Sequence, residues 1–295
     1  MVNSGADLVA DTVIRQAVER GTNVYGWTPF ANFSAQSIKY NTGSYVDMDG
    51  FSALAGLSWS NLAEGGPLTI GAFFEGGHGG YDTYNSFAAL PSVKGDGDVD
   101  YYGGGLLARL DFAGGFHAEA SARAGRVESD FNSSDLTAIF GQRAAYDSKT
   151  SYYGGHLGLG YAFQATERVS VDLSSKYLWT HQGSDRLDIA GQTVEFDSVN
   201  SNRWRNGFKV ACESDSGLKP YAGAAFEYEI SGRARSRAAD VDLQAPSLRG
   251  GTGIGEIGLI YSRPDSGGFF VDAGLQGYTG QREGVSGRVQ FGWSF

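Results

Sequence analysis

Apolar and polar residues alternate one for one through most of this chain, most cleanly at its end. Gly284–Phe295 reads GVSGRVQFGWSF, with Val285, Val289, Phe291, Trp293 and Phe295 on one parity. Ser286, Arg288, Gln290, Gly292 and Ser294 occupy the other. Neighbouring side chains of a strand point to opposite faces, so this predicts a strand with one apolar and one polar side. It runs about a dozen residues, against roughly five or six for an ordinary strand. A strand with lipid outside and water inside requires such a pattern.

Eleven earlier stretches alternate in the same way. They begin with Trp27–Gln36, Phe51–Ser60, Leu68–Phe74, Tyr102–Phe112, Phe116–Ala124 and Tyr153–Phe163. Val169–Trp179, Trp204–Cys212, Ala222–Ile230, Ile257–Tyr261 and Val271–Leu275 follow. Short turns are expected at Asn61–Pro67, Gly114-Gly115, Thr166–Arg168, Ser214–Gly217 and Pro264–Gly268. Long connections are expected at Gly76–Gly97, Glu128–Lys149, Gly183–Asn200 and Arg233–Arg249. Bacterial barrels place short turns on one side of the membrane and long loops on the other, whereas a soluble sandwich has no reason to alternate them. An even strand count also lets the first and last strands meet and leaves no sheet edge. The expected fold is therefore all-β: a single-chain antiparallel transmembrane β-barrel of about twelve strands.

The polar parity carries Arg109, Asp111, Glu119, Arg123, Lys176, Arg203, Arg205, Lys209, Glu227, Glu229, Glu256 and Arg288. Both signs of charge there suit a water-filled lumen, and the opposite parity is almost free of charge. Before the first strand, Ser4–Arg20 reads as a helix. Ala6, Val9, Ala10, Val13, Ala17 and Val18 recur at helical spacing, with Asp7, Asp11, Arg15 and Glu19 polar. Ser4 is the expected cap, Asp7 faces the positive end of the dipole, and Gly21 ends the helix. Taken alone, this amphipathic segment fits a helix packed outside a soluble core better than one threading a pore. Arg203, Arg205 and Lys209 would be the natural partners of Asp7 and Asp11 if the helix lay inside.

Composition agrees with the barrel. Glycine is 45 of 295 residues, roughly twice the usual 7%, as closely spaced strands and tight turns require. A net charge of -10 without a basic stripe argues against nucleic acid as a partner. One cysteine, Cys212, excludes an internal disulfide and any zinc site built from several thiolates; it reads as a small buried hydrophobe. No basic stretch followed by an apolar run opens the chain, so it is expected to be the C-terminal piece of something longer. No cofactor is expected, and no nucleophile elbow or metal-spaced histidine set occurs. His78, His117, His156 and His181 read as solvated lumen or loop residues.

From Asn202 onward the chain resembles the C-terminal translocator domain of autotransporters. The resemblance is carried by SNRWRNGFKV (Ser201–Val210), PYAGAAFEYEISGRARS (Pro220–Ser236) and APSLRGGTGIGEIGLIYS (Ala245–Ser262), and above all by VDAGLQGYTGQREGVSGRVQFGWSF (Val271–Phe295). It implies a Gram-negative outer-membrane barrel over 24–295, preceded by a linker and pore helix over 1–23. It moves Ser4–Arg20 into the pore, where Arg203, Arg205, Lys209, Glu227, Glu229, Glu256 and Arg288 would face Asp7, Asp11, Arg15 and Glu19. It implies export of an N-terminal passenger and no catalysis by the barrel itself. Val289, Phe291, Trp293 and Phe295 would be the signal read by the barrel-assembly machinery. The expected partners are outer-membrane lipid, periplasmic chaperones, that machinery and the passenger in cis, with the barrel itself a monomer. Some relatives cleave their passenger with an Asn on the helix; Ser4–Arg20 has none, and Asn3 and Asn23 flank it. The alternatives are a porin-like channel and an outer-membrane lipase or protease barrel.

Overall fold

The computed structural model describes residues 1–13, 26–86, 92–137, 143–189, 191–214, 216–238, 241–243, 245–262 and 269–293. A short helix, α1 (Val2–Leu8), continues into a π-type turn over Val9–Val13. The strands follow: β1 (Gly26–Asn41), β2 (Tyr45–Ala63), β3 (Gly66–Asn85), β4 (Val93–Asp111), β5 (Phe116–Thr137), β6 (Arg143–Thr166) and β7 (Val169–Gln182). Next come β8 (Asp185–Ile189), β9 (Gln192–Phe196), β10 (Val199–Cys212), β11 (Leu218–Glu229), β12 (Ser236–Ala238) and β13 (Val241–Asp242). The last are β14 (Gly250–Ser262), β15 (Phe269–Gly280) and β16 (Arg282–Trp293).

Twelve of these close a barrel in the order β1-β16-β15-β14-β11-β10-β7-β6-β5-β4-β3-β2, every pair antiparallel. The seam joins first to last, from Phe30 opposite Gly292 to Tyr40 opposite Arg282. The barrel is turned inside out relative to a soluble protein. Phe74 is 82% exposed and Leu159 68%, while Arg109 and Glu119 are 2% and 4% exposed. The outer face is apolar, as a lipid-facing surface requires, and the lumen holds the charges. Trp27, Trp59, Phe116 and Trp293 lie near the short-turn end of their strands; Tyr102, Trp179, Trp204 and Tyr228 lie toward the other end. Such girdles mark the two membrane interfaces. No helix among the described residues is long and apolar enough to cross a membrane, which says nothing of a barrel that crosses with strands.

Several expectations need correction. Gly76–Gly97 and Glu128–Lys149 are mostly strand, because β3 to β6 keep pairing well beyond the apolar band. Above the membrane both faces meet water, so alternation lapses while the hydrogen-bond ladder continues. Gly183–Asn200 and Arg233–Arg249 form a small sheet of order β13-β12-β9-β8. The hairpins flanking the seam are tight: β1 reaches β2 through Thr42–Ser44, and β15 reaches β16 through Gln281 alone. Short and long connections therefore do not alternate there. The helix starts at Val2, so Ser4 is a buried interior residue rather than a cap, and Asp7 lies beyond the first turn. Asn3 sits inside the helix, not beside it. Cys212 is exposed on the outer face instead of buried. Arg15, Glu19 and Gly21, the Pro264–Gly268 turn and Phe295 lie outside the described residues.

Glycine's abundance has a specific cause on the lumen wall. The buried Tyr221 ring lies flat across β14 and β15: a Cβ on Gly258 would stand 2.3 Å from its Cζ, and one on Gly274 2.6 Å from its hydroxyl. The hydroxyl donates to Asp272 at 2.8 Å and accepts from Arg288 at 2.6 Å, so the ring is held in place from its tip. Gly258→Ala is expected to destabilise the refolded barrel by about 1–3 kcal/mol, the usual cost of overpacking, as read from its urea unfolding midpoint. An unchanged midpoint would mean that the ring moves freely.

Candidate functional site

The helix has two faces, and the lumen has two walls that match them. Asp7 and Asp11 are four residues apart and project from one side, while Leu8 and Val9 point away from it. Leu8 and Val9 pack against Phe30, Leu54, Phe73 and Leu107, one residue from each of β1 to β4. These four sit on the otherwise polar parity of their strands, making an apolar stripe inside the pore. Closer to the chain start, Met1 and Val2 pack with Tyr101, Val127 and Tyr152.

The other wall, from β10, β11 and β16, is charged. Asp7 receives Arg203 at 2.6 Å, Arg205 at 2.7 Å and Arg282 at 2.8 Å. Arg205 also binds Asp11. Glu227 sits behind the three arginines, 2.6 Å from Arg205, 2.8 Å from Arg282 and 3.5 Å from Arg203. Every one of these side chains is nearly enclosed, between 3% and 13% exposed. Buried charges persist only when paired and hydrogen-bonded, and the planar guanidinium forks supply both.

Helix backbone is held as well. Lys176 donates to the Ala10 carbonyl, and Arg123 donates to the Val2 carbonyl at 2.6 Å. Arg123 is itself fixed by Glu75 at 2.7 Å, and Tyr152 donates to the other Glu75 oxygen at 2.7 Å. Along β10 the contacts descend in order: Asn3 meets Ser201, Asp7 meets Arg203 and Arg205, and Asp11 meets Arg205. The chain start thus lies at the mouth with the long connections. There a cavity of ≈ 450 Å³ is lined by Met1, Val2, Met48, Tyr81, Val99 and Leu248 among others.

Of the expected lumen partners, Arg203, Arg205 and Glu227 meet the helix or its ligands directly. Glu229 reaches it only through Ser201, which accepts from Asn3. Lys209, Glu256 and Arg288 lie nearer the short-turn end and engage one another instead: Lys209 is 3.4 Å and Arg288 3.8 Å from Glu256. The natural partner expected in Lys209 is in fact Arg282. Arg282 is on the parity of Ser286 and Arg288, so starting the last strand two residues earlier would have exposed it. Val289, Phe291 and Trp293 face outward, with Val289 opposite Phe33 at the seam and Trp293 opposite Phe269.

The histidines are not solvated loners. His117 and His156 are buried in the lumen wall, His117 3.0 Å from Asp172 and His156 2.6 Å from Ser121 Oγ. Glu119 lies 3.6 Å from His156, but Lys176 at 2.6 Å and Arg109 at 3.1 Å occupy it. His78 pairs with Asp100 at 2.9 Å and His181 with Asn200 at 3.0 Å. Among the described residues no group of His, Cys, Asp and Glu is arranged to hold a metal ion.

A closed barrel of twelve antiparallel strands with a salt-bridged helix in its lumen narrows the families to compare. The profile described as "Autotransporter beta-domain" matches residues 28–274. The chain belongs to the autotransporter β-domain family. Solved autotransporter barrels share the fold at low identity. The β-domain of BrkA from Bordetella superposes with a TM-score of 0.70 at 16% identity, covering 92% of this chain and 100% of that one. The NalP translocator domain from Neisseria meningitidis gives 0.72 at 16%, covering 99% and 98%. The AIDA-I transport unit from Escherichia coli gives 0.67 at 17%, covering 92% and 90%. Among curated proteins no sequence matches. Autotransporter β-domains are transport barrels of the Gram-negative outer membrane.

Proposed function

We propose that this β-domain anchors in the outer membrane and supports export of an N-terminal passenger, whose last residues join the helix at Met1. One observation carries the reading: α1 lies in the lumen with the chain start at the mouth bearing the long connections, so a preceding polypeptide leaves through that mouth. The porin-like alternative fits less well, because a helix gripped by three arginines and an apolar stripe occupies the space through which solutes would pass. Assembly is read as depending on the outward side chains Val289, Phe291 and Trp293 and on the terminal Phe295, on the barrel-assembly machinery and on periplasmic chaperones, with lipid as the resting environment and a monomer as the unit. A passenger enzyme is compatible with all of this.

The test is a reporter. A signal peptide and a small protease-sensitive domain fused ahead of Met1 are expected to be shaved from intact Gram-negative cells by added protease. A reporter that stays protected while the barrel itself is folded and membrane-embedded would overturn the reading.

A further inference from the structure

The charge balance at the helix seat is lopsided once the helix is set aside. Three guanidiniums converge on the Asp7 carboxylate, with Arg203 and Arg205 on one oxygen and Arg282 on the other. Glu227 is the one barrel carboxylate ion-paired to these arginines among the described residues. Glu229 is taken up by Ser201, the Asn202 amide and Ser231. Arg282 lies over the Tyr278 ring, centroid 4.8 Å away, which holds the fork in place without neutralising it. Deeper in the pore the charges balance, since Lys176 and Arg109 share Glu119 and Arg109 also pairs with Asp111. The seat therefore owes its neutrality to Asp7 and Asp11, which belong to the helix and not to the barrel.

With α1 seated but its two carboxylates removed, the enclosed guanidiniums keep only Glu227 as partner, which is strongly unfavourable; with α1 withdrawn they face the lumen as three cations to one carboxylate. Their preorganised forks match the geometry of carboxylate and phosphate oxygens. We propose that Arg203, Arg205 and Arg282 form a binding site for small oxyanions, occupied at rest by the protein's own Asp7, and that this site makes the pore anion-selective whenever Asp7 is withdrawn. The inference rests on the reading of α1 as the pore's resident. It adds a ligand class and a sign of selectivity that the export reading does not require.

The full chain carrying Asp7→Ala and Asp11→Ala tests this. After refolding in detergent, its thermal unfolding is followed with sodium phosphate or acetate against sodium chloride at matched ionic strength. The variant is expected to melt below wild type and to recover with phosphate and acetate, while wild type responds to neither. Adding Arg282→Gln should abolish the recovery. In planar bilayers under a KCl gradient the double variant should conduct with chloride preferred over potassium by roughly tenfold, and phosphate should reduce the current. A variant that is destabilised and conducting but cation-selective, or indifferent to phosphate, overturns the oxyanion site alone. A variant as stable and as closed as wild type overturns the oxyanion site, because α1 then keeps its seat without either carboxylate. If the double variant does not refold, Asp7→Asn alone keeps the isosteric shape and is read by the same two measurements, with the same outcomes deciding.

Discussion

Removing Met1–Gly21 raises single-channel conductance about threefold or more. Twelve strands about 4.8 Å apart and tilted by about 40° give a circumference of about 75 Å, hence a backbone diameter of about 24 Å. Lumen side chains of about 5 Å on each side leave about 14 Å, and a helix with its side chains is about 10–12 Å across. Filling the lumen with an 11 Å rod leaves about two-fifths of its area, and the contacts at Asp7, Ala10, Leu8 and Val9 close much of that remainder. Planar-bilayer recordings of the truncated and complete proteins, refolded side by side, check this. Equal conductance would mean that the helix leaves the lumen in the bilayer, and the plug would be wrong.

Replacing Glu227 with Leu lowers stability by about 3–5 kcal/mol, the range for breaking a buried ion pair from one side. Glu227 contacts all three arginines that hold Asp7, and it is 3% exposed. Without it Asp7 and Asp11 alone face three guanidiniums in a nearly enclosed site. Urea unfolding of the refolded protein, followed by tryptophan fluorescence, reads the loss. An exposed pair such as Lys149 with Glu128 is the natural control, since such pairs contribute at most about 1 kcal/mol. A Glu227 effect no larger than that control would show the cluster to be well hydrated and the seat to be loose.

The barrel was legible because lipid imposes a strict rule: each spanning strand shows apolar residues outward and polar ones inward, and the period-2 reading needs nothing else. The rule ends where the membrane ends, which is why Gly76–Gly97 and Glu128–Lys149 looked like loops although most of their described backbone pairs as strand. The charged half of the helix seat was partly readable, since Arg203 and Arg205 stand on the inward parity beside Asp7's expected face. Arg282 was lost to a strand start set at Gly284. The apolar half was not readable in advance. Phe30, Leu54, Phe73 and Leu107 look like lapses in alternation until four strands are placed side by side at one height. Apolar lapses on the inward parity of consecutive strands are the signal a later reading of such a chain could use.

The seam between β1 and β16 has a consequence for the order of events. Gly26 begins β1 at the short-turn end, while Met1 lies at the opposite mouth, so the polypeptide runs through a ring that its own last strand completes. A ring of about 14 Å clear width cannot be threaded by a folded domain. Anything preceding Met1 must therefore cross while still extended, or the ring must zip shut around it. The clock that matters is the race between the folding of what lies upstream and the zipping of Phe30 to Tyr40 against Gly292 to Arg282. A slow seam tolerates a late passenger; a fast one strands it on the wrong side.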